Sequence, residues 1–433
     1  MSSYAEELKQ IETPAFQEKL RLLYGGEEAT LREQTARYQR MIRRHEELIA
    51  SEKPLWMISA PGRAEIIGNH TDHNRGKVLA AAVNLDALAA VTPREDDMVR
   101  LYCEGFEPVE LSLQDLSRRD SEVNTTAALA RGVAFRMREL GCQIGGFDAV
   151  ITSTVRVGSG LSSSAAIEVL LCAVFDALYN GNALTAESRA KISQFAENVY
   201  FGKPSGLLDQ MASSVGGLCY MDFEKDEPEI QALQYDFAEK GYSLIVTATG
   251  GSHDDLTPDY AAIPTEMRAI AACFGKANLR EIDAQDFLNA IPRIREKLRA
   301  EGLPADRALL RAWHFYSEND RVVRLCQALR ADRLPEGLQI IRESGISSFC
   351  YLQNIYPNPL RQEQSLGLMM AETLLKEDGA WRIHGGGFAG TTLSFVPKAV
   401  QDEFIHRMEE TFGQGACAIL NVRPMGPCAL RLN

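Results

Sequence analysis

Charged stretches with helical periodicity and short apolar runs alternate along the chain, and their order predicts its organisation. Across Glu27–Glu52, Leu31, Tyr38, Met41 and Leu48 recur at roughly helical spacing within a highly charged background. Residues 1–52 therefore read as a helical extension packed on the main body, with a partner-binding helix as the alternative. Strand-like runs follow: LWMISA at 55–60, VLAAAV at 78–83, LAAVTP at 88–93, VRLYCEG at 99–105 and FDAVITSTV at 147–155. Helical periodicity returns at 126–140. It resumes after a serine cluster, where Ile167, Leu170, Leu171, Val174 and Leu178 share one face. Glu187–Tyr200 and Leu207–Val215 also read as helices, and GLCYMDF as the strand that closes this half.

The acidic, low-apolar stretch Glu224–Glu229 predicts a boundary, giving one unit at 53–228 and a second at 229–433. The second opens on the strand YSLIVTATG and continues through several helices to HGGGFAGTTLSFVP. An amphipathic helix at 400–412 and a final strand near 417–422 complete it. No internal repeat or low-complexity segment interrupts this order, and the pattern predicts an α+β protein of two unequal domains.

Composition narrows the classes. With 433 residues, 45% of them hydrophobic, the chain can bury a large core without a disulfide or metal staple. A net charge of −13 disfavours nucleic acid as a partner, yet a nucleotide can still be held by local N–H groups and one cation. The nine cysteines are scattered and none forms CxxC, which predicts free thiols in a reducing compartment. The N-terminus lacks an apolar signal core, and no apolar run approaches the roughly 20 residues of a membrane span. A soluble, cytoplasmic protein with no membrane partner is expected.

Four segments carry candidate chemistry. In APGRAEIIGNHTDHNRGKVLAAAV, residues 60–83, a strand is predicted to exit into a glycine-punctuated loop. Arg63, Asn69, His70, Asp72, His73 and Asn74 crowd together there. Such a cluster suits a ligand with many hydroxyls, because Asp accepts, Asn and His do either, and Arg supplies charge. A solvated polar loop is the plain alternative, and the H-x-D-H spacing is not distinctive for a metal. In VRVGSGLSSSAAIEVLL, residues 155–171, a strand runs through a glycine turn into a helix that begins at serines. Outward N–H groups and the helix dipole make this an anion site, unless it is a simple serine cap. GxxxxGK[ST] is absent, so this is no Walker A loop. HGGGFAGTTLSFV, residues 384–396, formally spells GxGxxG but leads into a strand, which fails a dinucleotide reading. It reads instead as a loop that lets backbone pass close to another segment or a ligand. In AENVYFGKPSGLLDQMASSVGG, Asp209 follows a Gly206 turn and starts a helix, and Glu197 precedes it near the end of another. One carboxylate could serve a reacting hydroxyl and the other a metal; surface or capping roles are the plain alternative.

Taken together, PGR, GSGLSSSAA and HGGGFAG in this order resemble the motifs of the GHMP kinases. Within that family the chain is most similar to galactokinases, through GR-x-x-x-IG-x-HTD-x-N-x-G-x-VL and GLLDQMAS. The resemblance covers roughly 15–25 and 57–430. It implies a ribosomal-S5-like N-terminal domain and a ferredoxin-like C-terminal domain with the active site between them. It further implies ATP-dependent phosphorylation of the anomeric hydroxyl of an aldose, D-galactose first, with ATP and Mg²⁺ as cofactors. Asp209 is implied as the catalytic carboxylate and Arg63 as its cationic neighbour. Gly158, Ser159, Gly160, Leu161, Ser162, Ser163, Ser164 and Ala165 are implied to hold the ATP phosphates. Ser164 and Glu197 would ligate Mg²⁺, and Asn69, His70, Asp72, Gly206 and Tyr260 would line the sugar site. The expected partners are the sugar and ATP alone, on a monomer or weak homo-oligomer.

The chain departs from the usual GRVNLIGEHTDYN on the sugar side. Glu65 stands for the Asn, Asn69 for the Glu and His73 for the Tyr, and GGSHDDLT replaces an Asn-Ser-Asn-type segment. In galactokinases the Glu replaced by Asn69 contacts the far hydroxymethyl end of the sugar. A hydrogen bond to a charged group contributes about 1.5–3 kcal/mol, so its loss would weaken galactose or admit another hexose, an amino sugar, a uronic acid or a pentose. A sensor that binds sugar without turnover is a further alternative, disfavoured by the intact GLSSSAA and Asp209. A nucleotide-dependent oxidoreductase is disfavoured by the failed GxGxxG context.

Overall fold

The computed structural model describes residues 4–155, 160–250, 257–355, 360–388 and 390–432. Its strands are β1 (Trp56–Ile67), β2 (Lys77–Pro93), β3 (Met98–Cys103), β4 (Val109–Ser112), β5 (Phe147–Ser153), β6 (Leu218–Asp222), β7 (Glu229–Leu233), β8 (Tyr242–Gly250), β9 (Ala380–Ile383), β10 (Gly390–Pro397), β11 (Cys417–Leu420) and β12 (Cys428–Arg431). They form an eight-stranded sheet with path β12-β1-β2-β5-β3-β4, to which β6 and β7 attach through β2, and a four-stranded sheet β11-β8-β10-β9.

The apolar runs of β1, β2 and β5 have a simple cause: both faces of this sheet are covered, so alternation is lost. Met57, Leu88, Ala90 and Val150 point to one face, against Leu20, Leu23, Leu31, Tyr38 and Ile42 of the N-terminal helices. Their neighbours Ile58, Ala89, Val91 and Ile151 point to the other face, against Leu170, Leu171 and Val174 of the helix Ser163–Tyr179. The predicted extension is thus three helices, Tyr4–Ile11, Pro14–Tyr24 and Glu28–Leu48, that form one layer of the domain.

A buried ionic cluster fixes this layer. Asp86, on β2, accepts from Arg37 Nη1 at 2.6 Å and from the Tyr24 hydroxyl at 2.6 Å. Ser59 also donates to it, and Arg423 Nη1 lies 3.5 Å away. Burial alone would raise the Asp86 carboxyl, but Arg37 and Arg423 hold it below the usual range.

The smaller sheet carries the helices Glu363–Leu375 and Gln401–Phe412 on one face, through Ile245, Val396, Leu375, Phe404 and Met408. Its other face, with Leu244, Val246, Leu393 and Phe395, joins the core that also contains Leu170 and Ile58, so one apolar core runs between the sheets. Among the described residues no helix is long and apolar enough to cross a membrane.

Three expectations are corrected. VLAAAV and LAAVTP belong to one strand, β2, in which the polar Asn84 and Asp86 are internal. β1 does not end at Ala60; it continues to Ile67 with register shifts at Pro61/Arg63 and Glu65/Ile67. A further strand, β12, follows the one expected near 417–422 and returns to the first sheet beside β1. β7 begins at the expected division and pairs with β6 of the larger sheet.

Candidate active site

The bulges in β1 re-aim its side chains, and Arg63 sits at the first of them. The strand approaches the serine loop closely here: the Arg63 N–H donates to Leu161 O at 3.2 Å, and a Cβ at Gly62 would lie 3.0 Å from that oxygen. Arg63 Nε then donates to Asp209 Oδ1 at 2.8 Å, and its Nη1 to Gly160 O at 2.5 Å. Asp209 opens the helix Leu208–Val215 and its side chain is 26% exposed, against 6% for Arg63. A buried carboxyl would ordinarily be raised. The Arg63 charge and the Ser162 hydroxyl, which donates to Oδ2, hold Asp209 below the usual range and therefore ionised.

Ser162 has φ 58, an uncommon value for a residue with a side chain, and it stands at the head of the helix Ser163–Tyr179 without capping it. Its hydroxyl was expected on phosphate and is instead bonded to Asp209. The first N–H groups of that helix, at Ser163, Ser164 and Ala165, lack intrahelical acceptors by helix geometry, an arrangement that favours an anion. Gly158 and Ser159 lie outside the described residues.

The glycine loop closes against the serine loop, as its composition predicts. Gly160, at φ +69, faces His384 and Thr391, where a Cβ would come within 2.4 Å of Thr391 Oγ1; a Cβ at Gly385 would lie 3.2 Å from Gly160 O. Three carbonyls of the loop are held from outside: Gly385 O by Asn69, Gly386 O by His70 Nε2 at 2.8 Å, and Gly387 O by the Tyr260 hydroxyl at 2.6 Å. Burial lowers the His70 pKa to about 3, so the ring is neutral and donates through Nε2–H. Asp72 packs on Gly206, where a Cβ would meet its Oδ2 at 1.8 Å, and its Oδ1 accepts from the His73 N–H at 3.0 Å. His70, Asp72, Gly206 and Tyr260 thus gather around the glycine loop and the turn before Asp209.

Asn69 is placed differently from expectation. It is 1% exposed; its Nδ2 donates to Glu65 Oε1 at 2.8 Å and to Gly385 O at 2.7 Å, and its Oδ1 accepts from Asn354 Nδ2 at 2.6 Å. Its carboxamide is therefore occupied as a brace between β1 and the glycine loop. Glu65 in turn meets Arg382 Nη2 at 3.2 Å, although burial still raises its carboxyl above the usual range. Two of the three departures from GRVNLIGEHTDYN, Glu65 and Asn69, are thus hydrogen-bonded to each other. Asn69→Glu should destabilise the protein by about 1–3 kcal/mol, because it sets two carboxylates together and leaves Gly385 O without its donor. In a double-mutant cycle followed by urea unfolding, Glu65→Asn should offset part of that loss, with a coupling of about 1 kcal/mol or more. Additive losses would show that the two residues act separately.

Glu197, 1% exposed in the wide-turned segment Ala196–Phe201, faces Ser164 from the opposite side. Its Oε1 accepts from Ser164 Oγ at 2.7 Å and Lys203 Nζ at 2.9 Å, and its Oε2 from Ser205 Oγ at 2.5 Å and Gln210 Nε2 at 2.7 Å. Gln210 also donates to Glu168, a carboxyl that burial, and then the Glu197 charge, raise far above its usual range. Lys203, Ser205, Gln210, Arg382 and Asn354 were not identified from the sequence. The first three lie within a few residues of Glu197 or Asp209; Arg382 and Asn354 carry no local signal. Among the described residues no group of three or more His, Cys, Asp or Glu converges as a metal site.

Known proteins share the sequence and fold of this chain. A galactokinase galactose-binding signature matches residues 43–93, and the GHMP kinases N terminal domain matches 128–217. A galactokinase of Streptomyces coelicolor is 32% identical over 374 residues, covering 85% of this chain and 91% of that protein. Among solved structures, Lactococcus lactis galactokinase complexed with galactose superposes with a TM-score of 0.74 at 23% identity, over 90% of this chain and 98% of that one. Methanococcus jannaschii mevalonate kinase superposes at 0.60 with 14% identity, over 84% and 98%. The two sheets with their packed helices form the α+β fold of these kinases, and the chain belongs to the galactokinase family of GHMP kinases, as an ATP-dependent sugar kinase.

Proposed function

We propose that the chain transfers the γ-phosphoryl group of ATP to the anomeric hydroxyl of D-galactose, forming α-D-galactose 1-phosphate and ADP. The observation that carries this reading is the ionised Asp209 carboxylate, held by Arg63 at 2.8 Å and still partly open. Asp209 accepts the hydrogen bond of the anomeric hydroxyl and orients its oxygen toward phosphorus. The oxygen–phosphorus bond forms as the bond to ADP breaks, and the hydroxyl proton passes to Asp209 or solvent. Because the transition state is loose, orientation and charge neutralisation carry most of the rate. His70, Asp72, Gly206 and Tyr260 surround the sugar, and residues 160–165 receive the phosphates. The choice of galactose is supported by the matched signature and by the relatives' own names.

The residues present fit Mg²⁺. Ser164 Oγ and Glu197 Oε1 offer converging hard oxygens 2.7 Å apart, and the carboxylate already carries one cation, the Lys203 ammonium. A divalent cation there would neutralise charge on the phosphate chain. The extension at 1–52, with units at 53–228 and 229–433, is the domain division we propose. A cytoplasmic location is supported by nine unpaired cysteines, and a monomer or weak homo-oligomer is the assembly we propose.

A substrate panel tests the reading. With ATP and Mg²⁺, kcat/KM for galactose should exceed that for galactosamine, galacturonate, arabinose and glucose by about tenfold or more. A different sugar is the second reading, favoured by Asn69, which offers no free carboxylate. Preference for the amine or the acid would establish it, and transfer to none of the five would remove both.

A further inference from the structure

We propose that Lys203 is the resident counter-ion of Glu197, exchanged for the divalent cation when the nucleotide arrives and then turned onto the phosphate chain. This rests on the reading of Glu197 and Ser164 as cation ligands. A carboxylate has about four lone-pair directions, and at Glu197 all four are filled: by Ser164 and Lys203 on Oε1, and by Ser205 and Gln210 on Oε2. A cation can bind this oxygen only by displacing one donor. Gln210 is fully buried and tied also to Glu168, and Ser205 Oγ lies on the far oxygen. Ser164 brings an oxygen that the cation itself can use.

Lys203 differs from the other three. It is the only charged donor, its side chain is 55% exposed, and it sits on the same oxygen as Ser164. Two positive charges on one carboxylate oxygen repel, so a divalent cation at Oε1 expels the ammonium. The flexible four-carbon stem allows the tip to move while the backbone stays. The nearest new anion is then the phosphate chain at the head of the helix Ser163–Tyr179, whose first turn carries Ser164. The charges agree with this exchange. Without nucleotide, Asp209 is paired with Arg63 and Glu197 with Lys203; with it, the metal takes over Glu197 and the ammonium adds a cation at the transferring group.

A plain surface ion pair and an exchanging counter-ion respond oppositely to loss of the charge. Mn²⁺ binding to the nucleotide-free full-length enzyme is measured by electron paramagnetic resonance for wild type, Lys203→Met, Lys203→Arg and Glu197→Gln. Lys203→Met should bind Mn²⁺ about tenfold or more tightly than wild type, because its competitor is gone, while kcat at saturating MgATP falls about tenfold or more and the sugar KM holds. Lys203→Arg should stay near wild type in Mn²⁺ affinity. Glu197→Gln should lose Mn²⁺ binding. If Lys203→Met binds Mn²⁺ no more tightly than wild type while Glu197→Gln still weakens it, the exchange is wrong and the cation site stands. If Glu197→Gln binds Mn²⁺ as well as wild type, the cation site itself is wrong and the exchange falls with it.

Discussion

Asp209→Asn is expected to lower kcat by roughly 10²–10⁴-fold, the range associated with a positioned acid–base group, while the ATP dissociation constant changes little. Asn keeps the shape and can still accept from Arg63, so the loop and helix stay in place. What it lacks is the negative charge that makes Asp209 a strong acceptor for the anomeric hydroxyl. The Arg63 guanidinium, buried and now uncompensated, would withdraw charge from that region instead of balancing it. The helix head at Ser163–Ala165, where we propose that ATP binds, keeps its N–H groups untouched. Isothermal titration with ATP and steady-state kinetics separate the two effects. A kcat within tenfold of wild type would remove Asp209 from the reaction. The pH profile gives a second check. Arg63 and Ser162 hold Asp209 below the usual carboxylate range, so it stays ionised above its lowered pKa. Activity that depends on the charged form is present through neutral pH and is lost only as pH falls through that value.

The largest effect on stability is expected at Asp86. Removing one partner of a buried ion pair leaves the other charge unpaired and typically destabilises by about 3–5 kcal/mol. Asp86→Ala leaves both Arg37 and Arg423 buried without their carboxylate, and Tyr24 without its acceptor. Arg37→Ala removes one cation only and should fall at the lower end of that range. Thermal and urea unfolding measure both, and a loss under about 1 kcal/mol for Asp86→Ala would mean that the cluster is dispensable. Acid should reveal the same group. The folded carboxyl lies below its unfolded value, so its contribution is present above an unfolded pKa of about 4 and is lost as pH falls through the folded value. Wild type should therefore lose stability more steeply than Asp86→Ala across that acid window.

Much of this architecture was legible because burial leaves a trace in sequence. β1, β2 and β5 read as strands since both faces are covered and their side chains are almost uniformly apolar. The same reasoning split β2 at Asn84–Asp86, because polarity inside a strand signals a turn unless distant partners neutralise it. Those partners, Arg37 and Arg423, are far away in the chain. The continuation of β1 through Gly62, Arg63 and Glu65 was hidden in the same way. In the site, the helix that starts at the serines follows from local order. The pairing of Arg63 with Asp209 came only through resemblance to a family. The roles of Arg382 and Asn354 came from neither, since each acts on residues that the fold alone brings near.

The return of β12 to the first sheet sets a timetable for the growing chain. The strand that covers the edge of that sheet beside β1, and the Arg423 that helps neutralise Asp86, are made long after β1 and β2 themselves. Until those residues emerge from the ribosome, β1 has an open hydrogen-bonding edge and Asp86 lacks one of its cations. The first half must wait for residues 423–431 to finish folding, and the exposed edge invites chaperone binding or aggregation during that interval. A stop codon just before residue 423 would therefore harm the half of the protein made first.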